Sequence, residues 1–205
     1  MASVKSAAKS KKNATAAAKP EDRPGRLADY LLARAPAEDI ATYATADLER
    51  AADLAGRAVA VHKKGDSIVA IDTESGVARQ DRPVTVITVV NDNMPFLFDS
   101  ILGEITETAG EPLLVTHPVV AVRHGKSGVD EILGDGGFAK GDGSHDRLSV
   151  VHVHIGRLSA DQAEALAGRL KKLLVQVRAA VTDWKPMLAR LDHCLLYTSP
   201  SPRDS

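Results

Sequence analysis

The clearest pattern along the chain is a switch in hydrophobic period. From Pro83 the run Val84, Thr85, Val86, Ile87, Thr88, Val89, Val90 is β-branched or apolar at every position. A run that is apolar on both faces predicts an interior strand covered on each side. The polar turn Asn91, Asp92, Asn93 supplies good helix caps, and Pro95 suits a first helical turn. Leu97, Phe98, Ile101, Leu102, Ile105 and Ala109 then make one apolar helical stripe that Gly110 closes.

Residues 113 to 124 read as a second strand despite Pro118, which belongs at an edge or a bulge, and residues 129 to 133 as a short third one. In Leu148 to Ile155, alternation puts Val151, Val153 and Ile155 on one face and His152 and His154 on the other, polar one. Ser159 and Gln162 have capping-box spacing before a helix that aligns Ala163, Leu166, Leu170, Leu173, Leu174, Val177 and Val181. Strand, helix, strand, strand, helix is the order of a ferredoxin-like α+β unit, an antiparallel sheet with both helices on one face. One strand of that pattern is unaccounted for; it is either Ser67 to Ile71 or beyond the end of the chain.

Ahead of the sheet, Leu27, Tyr30 and Leu31 have helical spacing. After Pro36 the run Ile40, Tyr43, Ala44, Leu48, Ala51, Leu54, Ala55 continues the period toward His62, with Gly65 as a stop. Residues 26 to 65 are therefore expected to form a helical hairpin, and 66 to 192 the α+β domain. Residues 1 to 25, a Lys/Ala-rich stretch, cannot bury enough apolar surface to offset their conformational entropy and read as a disordered leader. The leader has a transit-peptide-like lack of early acids, but lysine where arginine is usual. Residues 193 to 205 break into Ser/Pro, and Cys194 to Ser205 resemble translated sequencing-adapter readthrough, which makes them a non-native tail.

Composition narrows the chemistry. Apolar residues at 44% of 205 positions support a core, and aromatic residues at 3% make it aliphatic and argue against stacking platforms for single strands. Net charge is −1, and Lys5, Lys9, Lys11, Lys12 and Lys19 are gathered in the leader, so no folded basic face is expected for nucleic acid. A single cysteine excludes an internal disulfide, and no apolar run approaches the roughly 20 residues of a membrane helix. A cytoplasmic protein without membrane partners is the expectation.

Three motifs bear on function. Gly134 to Ala139, GDGGFA, matches the dinucleotide fingerprint, but a strand rather than a helix follows it, so it reads as a hairpin loop. His152 and His154 project from one strand face, where His117 or His145 would have to complete a metal site; surface or interface histidines are the favoured reading. Ser144, His145 and Asp146 are adjacent, which says nothing for a triad. The segment Asn91, Asp92, Asn93, Met94, Pro95 is the main candidate: its amides at a helix start suit a carboxylate or phosphate, and a purely structural turn is favoured from spacing alone.

That segment also carries a family resemblance. NDNMPFLFDSILGEI from Asn91, the HPV of His117 to Val119, and VRAAVTDWKPM of Val177 to Met187 resemble the N-terminal region of the large bacterial NAD-dependent glutamate dehydrogenases. The likeness spans roughly residues 26 to 192. It implies an ACT-like domain, regulatory or architectural, in an oligomeric enzyme that deaminates L-glutamate to 2-oxoglutarate and ammonia. The dehydrogenase domain lies downstream in that family. No catalytic residue and no cofactor-binding residue can therefore be assigned here, and NAD belongs to the parent. The expected partners are the downstream domains of the same polypeptide and, for the region itself, an amino-acid effector. A self-contained amino-acid-binding module that uses the Asn91 to Pro95 turn is the alternative.

Overall fold

The structure, a computed structural model, describes residues 26–33, 35–137 and 145–197. The expected leader, residues 138–144 of the glycine-rich loop, and residues 198–205 lie outside the described residues. Three helices, α1 (Leu27–Leu31), α2 (Ala37–Ile40) and α3 (Thr45–Ala60), precede the first strand. Then come β1 (Ser67–Asp72), β2 (Ala78–Arg79), β3 (Arg82–Asp92), α4 (Leu97–Ala109), β4 (Leu114–Thr116), β5 (Val119–His124), β6 (Val129–Asp135), β7 (Asp146–Gly156) and α5 (Ala160–Tyr197).

The sheet is antiparallel, with the path β1-β3-β7-β5-β6; β2 pairs with β3 and β4 with β7. β3 and β7 form its centre, in register from Val84 opposite Gly156 to Asp92 opposite Leu148. Val84 to Asn91 are all buried, as a strand covered on both faces must be. Of the two sources for the missing strand, Ser67 to Ile71 is the one used: β1 runs beside β3 and completes a ferredoxin-like arrangement.

Period 2 divides the central strands into two cores. Ile87, Val89, Val151, Val153 and Ile155 face α4 and α5, which bring Leu97, Ile101, Ile105, Leu166, Leu170, Leu174 and Val177. Each such side chain, moved out of water, stabilises the fold by about 1.5–3 kcal/mol. The capping box forms as spaced: Gln162 N–H donates to Ser159 Oγ, and Ser159 N–H to the Gln162 side chain. Both domain helices thus lie on one face of the sheet.

The opposite face is covered by the N-terminal helices. Leu27, Leu31, Ala52, Ala55, Ala58 and Val59 pack on Val90, Val120, Val122, Leu148 and Val150, and Tyr43, Leu48 and Ala51 on Val84, Val86 and Leu114. This segment is an integral layer rather than an appendage. The helix expected to run on from Ile40 is interrupted, because Tyr43 bridges to Arg79 and Thr42 accepts a backbone bond from Gln80 N–H. α3 begins only at Thr45.

One further expectation changes. The strand read over 113 to 124 splits at His117 and Pro118 into β4 and β5; Pro118 has no N–H to offer the ladder, but its carbonyl accepts from Val150 N–H.

Candidate functional site

The Asn91 to Pro95 segment does not cap α4. Asn91 and Asp92 complete strand β3, and the helix N-cap is Phe96, held at φ 64° with no side-chain cap bond. The caps read from sequence are engaged elsewhere. The Asn91 carboxamide oxygen accepts from Ser67 Oγ and from Arg178 Nη2 at 2.9 Å, and its amide donates to the Asp92 carbonyl. Asp92 Oδ2 accepts Gly65 N–H at 2.9 Å and lies 3.8 Å from Arg178 Nη1.

Arg178, on α5, is the hub of this arrangement. Its guanidinium also donates to the carbonyls of Gly65 and Asp66, so one planar fork ties α5 to the α3–β1 turn and to the end of β3. Asn93 is exposed and donates its N–H to the Arg147 carbonyl, Met94 packs against the core, and Pro95 is exposed. Beside it, Phe96 meets Trp184 edge to face at 6.1 Å, both about half exposed. Replacing Asn91 with alanine removes the acceptor shared by Ser67 and Arg178, and should lower stability by about 2 kcal/mol in a urea titration. A variant as stable as the parent chain would show that the clamp is dispensable.

His152 and His154 share one face, as read, but that face is buried rather than exposed. Both rings are fully enclosed because the N-terminal helices cover them. His152 Nδ1 lies 2.9 Å from Thr88 Oγ1, its Nε2 lies 3.0 Å from His154 Nε2, and the His154 ring meets Tyr43 at 5.2 Å. Burial pushes the pKa of His154 down to about 4 and that of His152 well below its usual range, with His154 adding repulsion. Both are therefore neutral imidazoles. Burial likewise raises Tyr43 to about 12.

His117 does not join them. It stacks on Phe98 of α4 at 4.6 Å and bonds Ser149 Oγ, on the opposite face of the sheet. Among the described residues no group of three His, Cys, Asp or Glu side chains is placed to hold a metal. Gly134 to Gly137 do not open a helix: Gly134 and Asp135 end β6, and Gly136 packs so closely on β5 that a Cβ would stand 3.0 Å from Val119 and from the Val120 carbonyl carbon. That packing suits its place beside β5; β6 and β7 are not neighbours in the sheet, so the expected hairpin loop is instead the connection that carries the chain past β5.

One constellation has no sequence signal. His62, at the end of the helical segment, joins His124 of β5 and Asp146 of β7 in a hydrogen-bonded chain. The Lys64 ammonium, 2.6 Å from Asp146, is the main cause of a lowered Asp146 pKa, and its own pKa is raised in return. These residues come from three distant stretches, and no spacing rule joins them.

Fold and site together define an ACT-like α+β domain whose polar side chains mostly lock elements to one another. The glutamate dehydrogenase ACT1 domain model matches residues 27–170, from the first helix into α5. The chain belongs to that family. No curated protein and no solved structure matches it.

Proposed function

We propose that this chain is the N-terminal, regulatory or architectural region of an NAD-dependent glutamate dehydrogenase. The observation that carries the reading is the family match, whose residues 27–170 take in every strand of the sheet and all three N-terminal helices. Hydride transfer from the glutamate α-carbon to NAD takes place in downstream domains, and the parent works as a cytoplasmic homo-oligomer. Among the described residues no helix is long and apolar enough to cross a membrane.

Scaffolding is favoured over ligand capture at the Asn91 to Pro95 turn, because Asn91 and Asp92 already accept from Ser67, Gly65 and Arg178. A carboxylate arriving there would have to displace Asp92 beside Arg178. Calorimetric titration with a panel of amino acids is expected to be silent; heat of binding abolished by Asn91→Ala would establish an effector site instead.

The activity test uses two polypeptides. Purified residues 1 to 205 are expected to form no NADH from glutamate and NAD, and the protein read from the genomic frame past codon 192 is expected to form it. Turnover by the short chain, or a genuine stop at that codon, would sink the proposal.

A further inference from the structure

The turn between α3 and β1 hides a proton-counting problem. His62 is fully buried, with Nδ1 3.2 Å from His124 Nε2 and Nε2 3.1 Å from the Asp66 carbonyl oxygen. His124 turns Nδ1 toward Asp146 Oδ2 at 2.9 Å. Both ends of the chain are acceptors. A carbonyl has no proton to give, so His62 Nε2 must carry one. Asp146 is kept ionised by Lys64, so His124 Nδ1 must carry another.

A neutral imidazole has one proton for two nitrogens. With both outer nitrogens protonated, the inner pair presents two lone pairs to each other at 3.2 Å. That contact is repulsive until a cation lies in it. We propose that His62 and His124 together bind one extra proton between their inner nitrogens, forming a pH-operated latch that fastens the α3–β1 turn to the ends of β5 and β7.

The surroundings have room for one positive charge. Facing the pair are Lys64 and Asp66 on the same turn, Asp146 on β7, Asp92 at the end of β3, and Arg178 of α5, which contacts Asp92 and bonds the turn's carbonyls. Among these groups three carboxylates stand against two cations, and the Asp130 carboxylate lies beside Gly125 next to His124, so a shared proton meets a surrounding with carboxylates to balance it. A second proton is resisted, because burial holds the His62 pKa below its usual value and His124 repels it. A metal between the same nitrogens meets no third His, Cys, Asp or Glu ligand among the described residues, so a proton is the fitting occupant.

With the shared proton in place the inner nitrogens are hydrogen-bonded, and without it two lone pairs face each other at 3.2 Å, so the latch is closed on the acid side and opens as pH rises. Opening removes one part-buried hydrogen bond and loosens the turn.

Imidazole nitrogen NMR on the whole chain, followed from pH 5.5 to 9, tests this directly. At pH 6 His124 should read as an imidazolium and His62 as its Nε2–H tautomer, and both should change in one common step. Across that step the protection factors of the amides over residues 61 to 66, taken relative to the intrinsic exchange rate at each pH, should fall about tenfold, the worth of one lost hydrogen bond. Asp146→Asn, which keeps both rings, should move the step to lower pH. Two neutral rings at pH 6, independent steps, or an unmoved step in Asp146→Asn would each overturn the latch. Stoichiometric zinc uptake lost in His62→Gln would overturn it too, giving the pair to a metal.

Discussion

A Leu170→Ala chain is expected to lose about 3 kcal/mol of stability, read as a lower urea midpoint with little change in slope. Leu170 is fully buried between α5 and the sheet, in the cluster that includes Ile87, Val153 and Ile155. Truncation deletes its transfer energy and leaves a cavity that the central strands, packed from both sides, have little freedom to fill. The control is Val175→Ala on the same helix, where the side chain is 70% exposed; it should stay within about 0.5 kcal/mol of the parent chain. Similar losses at both positions would mean that α5 does not dock by the face seen here.

Acid should destabilise the fold through the histidines under the N-terminal helices. His154 resists protonation in the folded chain down to about pH 4, against about 6.5 when unfolded. Between those values the unfolded state binds more protons, so this contribution is intact above about pH 6.5 and is lost as pH falls toward 4. The displacement corresponds to about 3 kcal/mol, and His152 acts in the same direction. Asp146 does not confound this window, because its lowered pKa keeps it ionised there.

The comparison chain is the double variant His152→Leu, His154→Leu. The double change removes the titrating pair; it also takes the His152 partner from the buried Thr88 hydroxyl, a cost that is the same at every pH, so the slopes rather than the absolute midpoints are compared. Unfolding midpoints between pH 7 and 4 should therefore fall more steeply in the unmodified chain than in the variant. Parallel curves would show that the pair is solvated or already protonated, and would contradict the burial on which the prediction rests.

Much of the main core was legible residue by residue. The unbroken β-branched run to Val90 specified a strand with two covered faces, and the stripes through Ile101 and Leu170 specified helices with one. Gly65 and Gly110 adopt positive φ at the stops read for them, and Ser159 bonds Gln162 as its spacing required. These features involve residues a few positions apart, so local chemistry is enough to fix them. The family resemblance was legible for a related reason, since NDNMPFLFDS is a contiguous block.

The candidate site was legible only in part. Asn91 and Asp92 are good caps by residue type, yet Arg178, 87 residues from Asn91, draws them into a clamp instead. Alternation put His152 and His154 on one face, but coverage by α1 and α3 made that face an interior. Their pKa values moved with it.

The sequence by itself determined which side chains share a face, where helices stop, and that the core is aliphatic, because backbone period and turn chemistry act over a few residues. Tertiary structure alone decided that β1 is the strand beside β3, that the N-terminal helices form the second layer, and that His62, His124 and Asp146 meet. Those outcomes depend on contacts between segments tens of residues apart, whose energies are summed only when the whole chain closes.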